Sequence, residues 1–145
     1  MPDTSEALKN LAQLDYEVFF ITNQAGISEK LITMEQFDEI NNEALRHVEP
    51  SGIKILKTYL CPHGENDNCE CRKPKPKLLL DAAREFDKDL SNSYMVGDRA
   101  SDVLTGVNAG TKGILVKTGV PTVVSEEAVF TAPSLLEAVE FISKQ

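Results

Sequence analysis

The chain is 145 residues long, enough for one domain with a sizeable core. Its charged fraction of 26% and hydrophobic fraction of 41% are those of an ordinary soluble domain. A net charge of −8 argues against general nucleic-acid binding, and no apolar run reaches membrane-spanning length.

Met1 to Glu6 has no basic region followed by an apolar stretch, so no secretory signal is read there and the cytoplasm is the expected compartment. A helix is predicted over 3–14. Asp3 or Thr4 can cap it, and Ala7, Leu8, Leu11 and Leu14 recur at helical spacing. The segment 16–22 is aromatic, β-branched and mostly apolar, the pattern of a buried parallel strand. Asn23-Gln24-Ala25-Gly26 ends that strand as a turn. Thr33 opens a helix to about Val48, with Glu35 and Gln36 in its first turn, and Pro50-Ser51-Gly52 stops it. A strand follows over 53–60. Pro76 starts a helix to about Phe86. A short strand over 93–96 ends in Gly97-Asp98. A helix covers 101–108, with Ala109-Gly110 as its stop, and 113–116 is a strand. Ala128-Val129-Phe130 is read as a short last strand, and Ser134 caps a helix to about Ser143.

Strand and helix alternate regularly, without repeats or low-complexity linkers. The fold class is therefore α/β, a single domain over 1–145 with a mostly parallel sheet. Ligands of such sheets bind beyond the carboxyl ends of strands. Three polar groups fall there: Thr22-Asn23, the loop after Leu60, and Asp98.

The loop after Leu60 carries the strongest signal. All three cysteines lie in Cys61-Pro62-His63 to Cys69-Glu70-Cys71, together with one of the two histidines. Random placement clusters three cysteines this tightly on the order of one per cent of the time. Cys61, His63, Cys69 and Cys71 form a ligand set for one tetrahedral zinc, and four protein ligands make that zinc structural. A metal site in a reducing compartment fits the cluster better than a disulfide framework. The alternative, cysteines as small core residues, sits poorly with the polar residues between them. Arg72 and Lys73 follow at once, and a guanidinium fork beside an ammonium suits a phosphate group. Lys75 and Lys77 read as solvated.

The other two strand ends are open to two readings each. Thr22 and Asn23 can hydrogen-bond a phosphate oxygen, or simply form a polar turn. Asp98 is placed to ligate magnesium, and Asp102 to bind a metal water or the phosphate-facing lysine. Alternatively, Asp98 or Ser101 only caps the next helix.

Taken in order, the segments 20–27, 61–74 and 93–99 resemble the second, third and fourth motifs of the haloacid dehalogenase (HAD) superfamily of phosphatases. They are closest to its zinc-containing branch, which takes in heptose-bisphosphate and histidinol-phosphate phosphatases. The resemblance runs from about residue 3 to 120. It implies a Rossmann-like, HAD-like parallel sheet flanked by helices, with a zinc loop. By position, Thr22 and Asn23 would bind the transferring phosphoryl group. Lys73 would neutralise it, Arg72 would contact substrate, and Asp98 would ligate Mg2+. Cys61, His63, Cys69 and Cys71 would hold Zn2+. The implied reaction is hydrolysis of a phosphorylated small molecule through an aspartyl-phosphate. The favoured substrate is a heptose 1,7-bisphosphate, with histidinol phosphate as the alternative. No nucleic acid, no membrane, and a monomer or weak oligomer are expected.

The family's Asp-x-Asp-Gly-Thr nucleophile motif has no counterpart here. It lies at the end of a first strand, ahead of the helix placed at 3–14. Neither Asp3 nor Asp15 sits at a strand end, so neither is assigned as nucleophile. The chain therefore reads as N-terminally truncated relative to the family, lacking the central strand between those that end at Thr22 and Asp98. A start further upstream is the favoured explanation, ahead of a gene remnant or a strand supplied by a partner. A catalytically inactive, zinc-stabilised phosphate-binding module is the reading from another class. A zinc knuckle for RNA or DNA is disfavoured by the acidic charge and by the lack of aromatics between the ligands.

Overall fold

Helix–strand alternation produces two parallel half-sheets in the computed structural model, which describes residues 2–64, 66–117 and 124–145. Helix α1 (Pro2–Ala12) leads to strand β1 (Val18–Asn23), the short helix α2 (Ala25–Ser28) and the long helix α3 (Met34–Val48). Strand β2 (Ile55–Cys61) and helix α4 (Lys77–Phe86) flank the cysteine loop. Strand β3 (Tyr94–Gly97), helix α5 (Ala100–Ala109), strands β4 (Lys112–Val116) and β5 (Phe130–Ala132), and helix α6 (Leu135–Ser143) complete the order. No helix among the described residues is long and apolar enough to cross a membrane.

Local chemistry accounts for most boundaries. Thr33 caps α3 through a reciprocal pair: Gln36 N donates to Thr33 Oγ1 at 3.0 Å, and Thr33 N donates to Gln36 Oε1 at 2.8 Å. Gly110 ends α5 at φ 102°, a left-handed conformation in which a side chain is strained. Two readings need correction. Asn23-Gln24-Ala25-Gly26 is not a plain turn, because α2 starts inside it. Tertiary bonds hold that short helix: Gln24 N donates to Cys61 O at 2.8 Å and Ser28 N to Pro62 O at 3.2 Å. The last strand is shifted from 128–130 to Phe130–Ala132, since its parallel register with β4 pairs Ile114 with Phe130 and Val116 with Ala132. Val129, part of the apolar run that suggested the earlier position, is 48% exposed.

The sheet is open in the middle. Strand β1 pairs only with β2, β3 pairs with β4, and β4 with β5, all parallel. No ladder joins β1 to β3 among the described residues. Each half has its own core. Ile114, Val116, Ala132, Ala138 and Ile142 pack in one, where the Phe130 and Phe141 rings stack at 4.6 Å. Tyr59, Cys61, Leu78 and Ala82 pack in the other, against Phe19 and Phe86. This arrangement is an α/β fold of parallel sheets flanked by helices.

Candidate active site

The carboxyl ends of β1 and β3 and the loops after them line one cleft of about 720 Å³. Thr22, Asn23, Arg72, Lys73, Asp98 and Asp102 all line it. The register explains part of the convergence. Asn23 is opposite Cys61, the residue at which β2 leaves the sheet, so the cysteine loop begins beside the Thr22–Asn23 turn. Four cationic side chains, Arg72, Lys73, Lys75 and Arg99, face two carboxylates there, in a chain of net charge −8. That local excess favours an anion. A larger hollow of about 980 Å³ lies between β2 and α4. Its charges are largely spent on one another, as in the Lys57–Glu85 and Lys77–Asp81 pairs.

Lys73 is the most constrained group in the cleft. Its Nζ donates to Asp102 Oδ1 at 2.5 Å, with the two side chains only 13% and 8% exposed. Its backbone N donates to Asn23 Oδ1 at 3.3 Å, so the Asn23 carbonyl oxygen is occupied and its NH2 group is left for an anion. Asp102 also accepts from Arg99 N at 3.2 Å. Of the two roles considered for Asp102, binding the lysine is the one realised. The alternative reading, a helix cap at Asp98 or Ser101, is not realised: the cap position is Arg99, with Asp102 reaching back to its N–H. Gly97 makes room for this, since a Cβ there would lie 2.3 Å from Asp102 Cβ. Asp98 is therefore not used as a cap and remains half-buried on the cleft wall.

In the turn after β1, Thr22 Oγ1 donates to Asn23 O over a long 3.4 Å and accepts from Gln24 Nε2 at 3.2 Å. Arg72 Nη1 donates to His63 O at 3.1 Å, which ties the guanidinium to the cysteine loop. Asp67 closes that loop on itself by accepting Gly64 N at 2.8 Å. That bond, and next the Ser28 hydroxyl, hold its carboxyl below the usual range.

The sulfurs of Cys61, Cys69 and Cys71 lie within 4.8 Å of one another, so this cluster can hold a metal ion. Cys61 is fully buried and belongs to the β2–α4 core, which anchors the cluster to the sheet. His63 is adjacent in the chain, but its ring nitrogens do not join the three sulfurs. The sulfurs of Cys61 and Cys71 are close enough to be paired as a disulfide, leaving Cys69 free with its Sγ 3.6 Å from Cys61. A disulfide and a trithiolate centre are alternative uses of the same atoms, whereas the sequence reading had favoured the metal.

Two residues were not assigned a role from sequence. Arg99 is exposed on the cleft wall beside Asp98, and Lys75 lines the same cleft while its Nζ bonds Cys69 O at 2.5 Å. Their adjacency to Asp98 and Lys73 was the available signal, but chain adjacency does not show which way a side chain turns.

Comparison with known proteins agrees with this geometry. Residues 70–138 match the HAD-hydrolase-like family model. A D-glycero-beta-D-manno-heptose-1,7-bisphosphate 7-phosphatase from Helicobacter pylori (strain J99) is 40% identical over 119 residues, covering 80% of this chain and 67% of that protein. The protein of the same name from Pasteurella multocida is 35% identical over 146 residues, covering 96% and 78%. The chain thus spans about two thirds to three quarters of these relatives. The crystal structure of the D,D-heptose 1,7-bisphosphate phosphatase from B. bronchiseptica, complexed with magnesium and phosphate, superposes with a TM-score of 0.86 at 29% identity. It covers 99% of this chain and 83% of that one. With the parallel half-sheets, the convergent strand-end motifs and these similarities, the chain belongs to the heptose-1,7-bisphosphate 7-phosphatase family of HAD-like phosphatases.

Proposed function

We propose that the protein is a phosphomonoesterase of a sugar phosphate, with D-glycero-D-manno-heptose 1,7-bisphosphate as substrate and its 7-phosphate as the group removed. The observation that carries this reading is the cleft itself. Thr22, Asn23, Arg72 and Lys73 line one cleft with Asp98 on its wall, and the relatives that share the chain are named for this reaction.

Thr22 Oγ1 and the Asn23 NH2 group bind phosphoryl oxygens, and Arg72 contacts the rest of the substrate. Lys73, aimed by Asp102, offsets the charge that develops on those oxygens. Asp98 fits a magnesium ligand, being a carboxylate at a strand end that spends no hydrogen bond on capping α5. Magnesium held there supplies Lewis-acid stabilisation of a phosphoryl oxygen. Cys61, Cys69 and Cys71 would hold a structural zinc that fixes Arg72 and Lys73 at the rim, with His63 as the fourth ligand implied by the sequence once its ring turns to the sulfurs.

The nucleophile is a carboxylate outside the described residues. Asp102 is committed to Lys73, and Asp98 to the metal role. A parallel strand seated between β1 and β3, whose facing edges carry no ladder among the described residues, would bring a carboxylate at its carboxyl end beside Thr22 and Asp98. The same opening favours the second reading for the 145 residues alone, a phosphate-binding module without turnover.

The test is phosphate release across a panel of sugar phosphates and histidinol phosphate, with magnesium. It compares this chain with a version extended at its N-terminus by a strand that ends in an Asp-x-Asp-Gly-Thr motif. Release of the 7-phosphate by the extended protein is expected. Release from no phosphomonoester at all overturns the proposal.

A further inference from the structure

The turn after β1 holds a group that the mechanism above does not use. Gln24 does not line the cleft, yet both of its polar ends are spent on the site. Its backbone N–H donates to Cys61 O at 2.8 Å, and its side-chain Nε2 donates to Thr22 Oγ1 at 3.2 Å. Although it precedes α2, its side chain makes no cap hydrogen bond to that helix. The amide is therefore directed at the Thr22 hydroxyl rather than at the local backbone.

A threonine hydroxyl has one proton and two acceptor lone pairs, and it rotates to suit its partners. If the oxygen accepts from the surroundings on the cleft side, its proton turns elsewhere. An amide donor fixed on the far side prevents this: it occupies a lone pair and leaves the proton to find an acceptor. The present acceptor is Asn23 O at 3.4 Å, at the far limit of hydrogen bonding. That bond is cheap to give up, and a charged phosphoryl oxygen is a stronger acceptor.

We propose that Gln24 is a positioning residue of the anion site: by donating to Thr22 Oγ1 from outside the cleft, it presets the Thr22 hydroxyl as a donor to the bound phosphoryl group. The proposal rests on the phosphate-binding role given to Thr22 above. The same residue joins the turn to the first cysteine of the metal loop, so it couples the geometry of the two segments.

The test is isothermal titration of the folded protein with inorganic phosphate in the presence of magnesium, as a double-mutant cycle. Gln24→Met removes the donor at similar size, and Thr22→Val removes the hydroxyl. Gln24→Glu reverses the bond, because a carboxylate takes the Thr22 proton for itself. Expected are a phosphate Kd raised about fivefold by Q24M and by more for Q24E, with Q24M changing Kd less than about 1.5-fold in the T22V background. A purely structural role would instead lower the melting temperature and leave Kd unmoved. That result, or equal Q24M effects with and without the Thr22 hydroxyl, overturns the proposal. If Q24M does not fold, the near-isosteric Q24E decides: an unchanged Kd there overturns it as well. If the unsubstituted protein binds no phosphate, the phosphatase reading fails and this proposal falls with it. Binding with an additive cycle removes this proposal alone.

Discussion

Replacing Asp102 by alanine isolates the Lys73–Asp102 pair. The two side chains are 13% and 8% exposed and meet at 2.5 Å, so Asp102→Ala leaves a buried ammonium without its ion-pair partner. Removing one partner of a buried pair costs about 3–5 kcal/mol. A domain of this size is stable by roughly 5–15 kcal/mol, so the loss is a large fraction of the whole. With a urea dependence of about 2 kcal/mol per molar, the unfolding midpoint should fall by roughly 1.5–2.5 M. Lys73→Met alone leaves Asp102 buried, with the Arg99 N–H as its remaining donor among the described residues. The double variant has no buried charge at this position. It should be more stable than the sum of the single losses predicts by about 2 kcal/mol or more. Urea unfolding followed by circular dichroism measures all three. Additive losses, or an Asp102→Ala midpoint within about 0.3 M of the parent, would show that the pair is solvated rather than buried, and the argument for an aimed Lys73 would fail.

Gly97→Ala places a Cβ at 2.3 Å from Asp102 Cβ, so the strand end or α5 must shift. A loss of about 1–3 kcal/mol with weakened phosphate affinity is expected, and unchanged urea midpoint and Kd would contradict the close approach. Reduced protein should bind one zinc per chain by metal analysis, with Cys69→Ser lowering its occupancy; full occupancy in that variant would remove Cys69 from the site. Burial, then the Glu85 carboxylate that accepts its hydroxyl proton, push Tyr59 up to about 12. Because the protonated form is favoured in the folded state, this stabilisation is complete below the ordinary tyrosine value of about 10 and is lost as pH rises through about 12. In ultraviolet titration one of the three tyrosines should ionise last, and Glu85→Gln should bring it down; three tyrosines ionising together near pH ~10 would contradict this.

Much of this protein was legible without coordinates because the relevant physics is local. Helical spacing of apolar residues, the Thr33–Gln36 capping pair and the Gly110 stop each depend on residues within a turn or two, and each formed close to where it was expected. The clustering of Cys61, Cys69 and Cys71 was visible for the same reason, as were the three strand-end motifs. Contacts decided by pairing across the chain were not legible. Asn23 Oδ1 meets Lys73 N fifty residues away, whereas the bond of Lys73 Nζ to Asp102, twenty-nine residues on, was one of two roles open to Asp102 and was decided by the tertiary contact. Strand β5 took its position from the register of β4 rather than from its own apolar run. Helix α2 formed across a glycine because Cys61 O and Pro62 O accepted its backbone donors. Composition and periodicity thus determined the α/β class, the order of elements and the residue types of an anion site. Only the tertiary structure decided which side chains face the cleft and which are spent on holding others. Those outcomes depend on distances between segments remote in sequence, which local pattern does not encode.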